Sequence, residues 1–386
     1  METFFLILAL ILVSTKTLGI LCSKIGLPAV LGYIVAGIIL GPMVLNIAHS
    51  GDEIKFLSRL GIIFLMFYAG LDTDLDEFKK TALPSTLVGV AGVVAPLILG
   101  YFVAGLFFND FWVKLFIGVI LTATSVSITV ETLSEMGKLK GKVGNIILGA
   151  AIIDDIIGLI VVSVVVSLVA SHQGGTATSS IVEVIANIGI FGLIALVILF
   201  FVPRLITTSG LDFSRKGATP LVLAFALLMA FTSEYFGVAE ITGAFLAGLT
   251  LSSIKNKYKI KSNIKTISTN FLSLIFFANI GLEATIHGLT PKIALMILAL
   301  AIIAILSKLI GCGLMSKLFG LSNRESLQIG SGMVSRGEVA IIVANIGLEQ
   351  NIIDQDIFVI MLAVIIVTTL VAPILLKFSF DKKQKQ

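Results

Sequence analysis

Charge is scarce in this chain: Asp, Glu, Lys and Arg supply 13% of its 386 residues, about half the share of a soluble domain. Cysteine and histidine are scarcer still, with two and three residues. Cys22 and Cys312 lie in or beside apolar runs with no second Cys or His at ligand spacing, which argues against a disulfide framework or a zinc site. His49, His172 and His287 all fall in loops. Gly137-Lys-Leu-Lys-Gly141-Lys142 lacks the spacing and the Ser/Thr of a phosphate loop, so no ATP-hydrolysing signature is present. No loop is long enough for a folded domain; the longest, around 171–180, is rich in Gly, Ser and Thr. The net charge of +4 does not imply nucleic acid, because the basic residues sit in short loops between apolar runs.

What the chain has in excess is apolar sequence, 57% by count with a mean hydropathy of +1.09. It reads as an all-α polytopic membrane protein. Thirteen segments reach apolar character: 3–21, 28–47, 55–73, 83–107, 111–135, 143–171, 181–206, 217–236, 239–254, 265–285, 291–319, 325–348 and 355–378. The first follows an acid rather than a basic region and lacks a small-residue cleavage site, so it is expected to be a retained span. Loops after odd-numbered segments carry most of the Lys and Arg, including Lys138, Lys140 and Lys142, the run Lys255 to Lys265, and the tail from Lys377. The other side has Lys55, Lys114 and Lys292. By the positive-inside rule the N-terminus is outside and the C-terminus cytoplasmic. Asp72, Asp74, Asp76 and Glu77 stand beside Lys79 and Lys80 and read as a self-neutralising surface.

Two adjacent carboxylates, Asp154 and Asp155, interrupt segment six with at least ten apolar residues on either side. A carboxylate at such depth costs at least about 2.5 kcal/mol even on a lenient insertion scale. Successive helical residues point about 100° apart, so the pair can serve two neighbours, a cation and a water-filled cavity. The deep cations are Lys308 in segment eleven and Arg336 in segment twelve, and Lys308 is the natural partner for one aspartate. Segment five holds five hydroxyls in eight residues, Thr122, Thr124, Ser125, Ser127 and Thr129. Hydroxyls satisfy carbonyls where a span unwinds, and the two together suit a hard cation. Segment twelve, Gly330-Ser-Gly332-Met-Val-Ser335-Arg336-Gly337-Glu338, also reads as a broken helix, with Arg336 and Glu338 expected to pair with each other or with Glu131 as structural support. A weak repeat at an offset of 211 residues matches Gly32, Ala36 and Gly37 to Gly243, Ala247 and Gly248, and Gly70-Leu71 to Gly281-Leu282. Seven spans separate the partners, so the repeats are inverted, a pattern that recurs in secondary transporters.

In these motifs and their order the chain resembles the bacterial cation:proton antiporters, specifically the double-aspartate, electrogenic branch that includes the NapA-type sodium/proton antiporters. The resemblance spans nearly all thirteen segments. It implies an NhaA-like antiporter fold in which segments five and twelve unwind and cross. It implies a homodimer with a dimerisation domain (1–73 and 217–285), a core ion-transport domain (83–171 and 291–378), a linking helix (181–206) and a cytoplasmic tail (379–386), in a bacterial inner membrane. Asp155 becomes the principal Na+ ligand with Thr124 nearby, Asp154 and Ser125 adjoining, and Asp154 paired to Lys308. The transported ions would be H+ and Na+ or Li+, with K+ as the competing selectivity, and no cofactor or enzymatic step is needed. A cation channel would use similar residues without coupling flux to pH. An intramembrane aspartyl protease needs facing carboxylates, which neighbours on one helix cannot supply.

Overall fold

The computed structural model describes residues 2–172, 181–208, 218–254, 258–284 and 290–381. The Gly/Ser/Thr-rich stretch 173–180, His287 and the tail from 382 lie outside them. In chain order the helices are α1 (Glu2–Lys24), α2 (Ala29–Leu40), α3 (Asp52–Asp72), α4 (Leu75–Lys80), α5 (Ala82–Ala104), α6 (Phe111–Ile120), α7 (Val126–Glu135), α8 (Lys142–His172) and α9 (Ile181–Thr208). There follow α10 (Ala218–Tyr235), α11 (Glu240–Leu251), α12 (Tyr258–Ile267), α13 (Ser273–Leu282), α14 (Pro291–Leu318), α15 (Asn323–Gly332), α16 (Glu338–Glu349) and α17 (Gln355–Phe380). Each apolar segment contains helix, and segments five and twelve are each two helices flanking an unwound stretch. Among the described residues, seven helices (α1, α3, α5, α8, α9, α14 and α17) are long and apolar enough to cross a membrane.

Several starts follow from local chemistry. Asp110 and Asp354 cap α6 and α17 by accepting the Val113 and Ile357 N–H groups, and Thr290 does so for α14 with Pro291 in its first turn. Ser322 and Glu325 form a reciprocal capping box on α15. Asp74, exposed at the surface, caps the short α4.

The second and ninth segments are shorter than their apolar runs. Helices α2 and α11 have 12 residues each, about 18 Å of helix against a hydrocarbon core of about 30 Å. Gly41 turns extended after α2, and Ile47 and Ala48 fold back to donate to the Leu40 carbonyl at 3.0 and 2.9 Å. Met43, Val44, Leu45 and Ile47 are apolar yet exposed, which periodicity does not register. The tenth segment starts earlier than expected, at Tyr258, and passes from α12 to α13 through a π turn at Ser268–Leu272.

The repeat is visible in backbone contacts. A Cβ added to Gly37 on α2 would collide with the Ala278 carbonyl on α13, and one on Gly248 of α11 with the Phe67 carbonyl on α3; the second pair is the first displaced by 211. The same displacement relates Gly281 against Ile34 to Gly70 against Phe245, and Gly32 against Leu18 to Gly243 against Met229. Glycine is what lets these backbones touch.

Packing gathers the helices into two groups. In one, α1 lies on α2, α2 on α13, α13 on α3, α3 on α11 and α11 on α10. In the other, α5 lies on α6, α8 and α14, and α14 on α15 and α17. Helix α9 touches α11 of the first and α8 of the second.

Gly37→Ala and Gly248→Ala should each destabilise the first group by about 1–3 kcal/mol, the usual cost of overpacking, lowering the midpoint of thermal unfolding in detergent. Gly189→Ala on α9, where nothing lies within 4 Å of the added carbon, should not. Equal midpoints for all three would contradict the contact scheme.

Candidate functional site

Breaking a helix frees carbonyls that an apolar interior leaves without water. The break after α6 runs from Leu121 to Ser125, and that after α15 from Met333 to Gly337. The two breaks meet and satisfy each other. Ser125 N–H donates to the Ser335 carbonyl at 2.8 Å, and the Ser335 hydroxyl donates to the Ser125 carbonyl at 2.6 Å. The Thr129 hydroxyl reaches the Gly332 carbonyl at 2.7 Å, the Thr122 hydroxyl the Val119 carbonyl at 2.7 Å, and the Thr369 hydroxyl of α17 the Arg336 carbonyl.

Arg336 is completely buried. Its guanidinium pairs with neither Glu338 nor Glu131, contrary to the sequence expectation; it donates to the Leu121 carbonyl at 2.5 Å and the Val334 carbonyl at 3.0 Å. The reason is electrostatic. The C-terminal ends of α6 and α15 converge here, and a cation complements both partial negative ends. Glu338, the first residue of α16, sits with the Ser125 and Ser127 hydroxyls at 3.4 and 3.5 Å, where the N-termini of α7 and α16 favour an anion. Glu131 is buried on α7, farther along that helix from the crossing.

Beside the crossing, Lys308 Nζ of α14 lies 2.8 Å from Asp154 Oδ1 of α8 and 2.6 Å from Thr124 Oγ1. The lysine is 0% and the aspartate 2% exposed, so each charge depends on the other for compensation. Helix α5 makes room with Gly92: a Cβ there would lie 2.9 Å from Asp154 Oδ1 and 3.4 Å from Lys308 Nζ. Neither Gly92 nor Cys312, whose sulfur lies 3.2 Å from that same point, carries a signal in sequence.

Asp155 points elsewhere. Its Oδ1 is buried with no hydrogen-bond partner, and the residue lines a cavity of about 600 Å³ together with Asp154, Thr122, Asn279 and Glu338. Thr122 is therefore the hydroxyl of the run that faces this cavity, while Thr124 is held by the lysine and Ser125 by Ser127 at 3.0 Å. An unsatisfied carboxylate oxygen, a hydroxyl and an amide around one cavity are oxygen donors of the kind a hard monovalent cation or a proton takes. The mouth carries Arg59 of α3 bridged to Glu234 and Glu240 of the α10–α11 corner. Tertiary folding supplies both acids of Arg59 from another part of the chain.

On the opposite face the two helix groups touch. Glu135 of α7 accepts the Ala29 N–H at the start of α2 through both oxygens at 2.8 Å. Asp72 of α3 takes Lys140, from the turn before α8, at 3.0 Å, and Lys261 of α12. Asp72 thus pairs across the fold, not with neighbouring Lys79 and Lys80.

The family described as "Sodium/hydrogen exchanger, transmembrane" matches residues 7–382. The chain is 37% identical over 392 residues to the Na(+)/H(+)-K(+) antiporter GerN of Bacillus cereus, covering 99% of this chain and 97% of that one. It is 33% identical over 380 residues to an Na(+)/H(+) antiporter of Enterococcus hirae, covering 98% of each. In structure it is similar to the sodium proton antiporter MjNhaP1 of Methanocaldococcus jannaschii, with a TM-score of 0.76, 19% identity and 98% of each chain covered.

Lys308→Met should leave Asp154 buried without its cation, at a cost of about 3–5 kcal/mol. Adding Asp154→Leu to that variant should recover most of the loss in a thermal-unfolding cycle. Additive losses would mean that the two side chains are not coupled.

Proposed function

Since the chain belongs to the sodium/hydrogen exchanger family, we propose that it is a secondary Na+/H+ antiporter in which Asp155 takes either ion by turns. The observation that carries this reading is the pairing of a cation-compensated Asp154 with an uncompensated Asp155 at one cavity. A site that holds Na+ or H+ but not both couples their gradients without hydrolysis. Thr122, Thr124 and Asp154 are the further candidate Na+ ligands, and release of Asp154 from Lys308 when the cation binds would free a second proton from the coupled group. Two H+ per Na+ would move one net charge, worth about 2.3 kcal/mol per 100 mV. With the usual inward proton gradient, the direction is sodium export from a bacterial cell.

In this reading the thirteen segments all cross the inner membrane, N-terminus outside and C-terminus in the cytoplasm. The cavity beside Lys55, Arg59 and the α10–α11 corner then faces outward, and the Asp72 and Glu135 contacts close the cytoplasmic side. The group of α1–α3 and α10–α13 is the dimerisation domain of a homodimer, the group of α5–α8 and α14–α17 the core that carries the ions, and α9 the link. Gly92 and Ser125 keep the ion pair and the crossing in register, with Ser127, Thr129, Arg336 and Glu338 as their support. A second selectivity is favoured by one observation: the GerN antiporter, whose name includes K+, is similar over 99% of this chain, so K+ is tested beside Na+ and Li+.

The test uses proteoliposomes with an acid interior and an internal pH dye. Addition of Na+ outside should raise the internal pH, Asp155→Asn should abolish the response, and an imposed membrane potential should change its rate. A response to K+ alone would assign the protein to potassium exchange. Ion flux indifferent to the pH gradient would establish a channel and sink the antiporter reading.

A further inference from the structure

Asp155 also lines a second, much smaller cavity of about 10 Å³. Thr242 of α11 lines it too, and the rest of its wall is apolar: Met66, Val126, Leu148, Ile152, Ile241 and Phe245. Thr242 is 3% exposed, and its hydroxyl is buried with no hydrogen-bond partner. Two residues with unpartnered oxygens, Asp155 Oδ1 and Thr242 Oγ1, thus share one enclosed space. The three helices that line both cavities give its direction. Along α3 the lining passes from Ile62 to Met66, along α8 from Leu159 back to Leu148, and along α11 from Glu240 to Phe245. Each step leads away from the cavity mouth and toward the face where Asp72 pairs with Lys140.

We propose that the small cavity is a one-water site, in which a water molecule joins the Thr242 hydroxyl to the Asp155 carboxylate and makes Thr242 a positioning residue for that carboxylate. A buried polar atom without a partner is costly, and a single water answers both oxygens. About 10–15 Å³ is room for one water, which needs two to four polar partners. A bare Na+ is the poorer occupant, because two oxygens fall short of the shell a hard cation takes. The Thr242 hydroxyl donates to the water and the water donates to the carboxylate, with no covalent bond changed. Thr242 belongs to the helix group of α3 and α13, Asp155 to that of α5 and α14. The bridge therefore spans the two groups and is given up whenever α8 shifts along α11. That step, and the part of Thr242 in exchange, rest on the antiporter reading above; the site itself does not. The charged groups that face Asp155 are Asp154 on its own helix, Glu338, Lys308 behind Asp154, and Lys55 with the Arg59 cluster at the cavity mouth. None of them lines the small cavity, so the water is the donor that reaches the carboxylate from that side. A donor favours the charged form of a carboxylate, and its loss favours the proton.

The test is a cryo-electron-microscopy map of the full-length protein in nanodiscs, sharp enough to show ordered waters and recorded in buffer free of Na+, together with exchange assays in proteoliposomes. One density should lie within hydrogen-bond distance of Thr242 and Asp155. Thr242→Val, which keeps the shape and removes the hydroxyl, should lose that density. It should also move the pH of half-maximal Na+ exchange upward by about one unit, the roughly tenfold change that one hydrogen bond to a charged group is worth. Thr242→Ser, which restores the hydroxyl, should return both the density and the pH profile to those of the parent. No density in the parent, density that appears only with Na+, density that survives in Thr242→Val, or a Thr242→Val profile equal to the parent's would overturn the proposal. Density in a parent protein that exchanges no ions would sink the antiporter reading and leave the water site standing.

Discussion

Backbone carbonyls freed inside an apolar fold must find donors within the protein, and the need for those donors organises the centre of this molecule. One break cannot stand without the other: the Ser125 and Ser335 backbones and the Ser335 hydroxyl close a reciprocal set of bonds between them. Arg336 serves the two helix ends that point carbonyls at it, and Glu338 lies where two helices point N–H groups. With the local dipoles matched in this way, α8 and α14 can bring Asp154 and Lys308 together beside the crossing, and α5 leaves them the space of one missing methyl group at Gly92.

The repeat is a property of the backbone and not of the chemistry. A displacement of 211 carries Ser125 to Arg336 and Ser127 to Glu338, so one half lends hydroxyls where the other lends charges. It carries Asp154 and Asp155 to Ile365 and Ile366, and it traces Lys308 back to Leu97. The ion pair and its unpaired neighbour therefore occur once. A duplicated frame with a single charged centre gives one site that two directions of approach must share.

Much of this was legible in residue types because burying polarity is expensive. Aspartates and a lysine deep in apolar runs announce one another, hydroxyl-rich and Gly-rich stretches announce breaks, and small residues at a fixed offset announce the repeat. What sequence hid were partners that have no letter of their own. Arg336 was assigned an acid because charge suggests opposite charge, whereas its acceptors are the Leu121 and Val334 carbonyls. Gly92 looks like any other glycine in an apolar helix until the ion pair lies against it. Asp72 finds Lys261 189 residues away and Arg59 finds Glu240 181 residues away, distances at which neighbours in the chain say nothing. The shortness of α2 was hidden too, since Met43, Val44, Leu45 and Ile47 keep the run apolar after the helix has ended.

The glycine contacts between α2 and α13, and between α3 and α11, leave no side chains at the points of closest approach. Side chains are what lets packed helices slip, since rotamers can change as ridges pass over grooves. Backbone pressed on backbone has no such freedom, so those four helices are held in one register. The seam to α7 is made of long carboxylate and lysine arms, which can let go and reattach. In the proposed alternating-access exchange, the joints that hold would be the ones built from the smallest residues, and the joints that part the ones built from the longest.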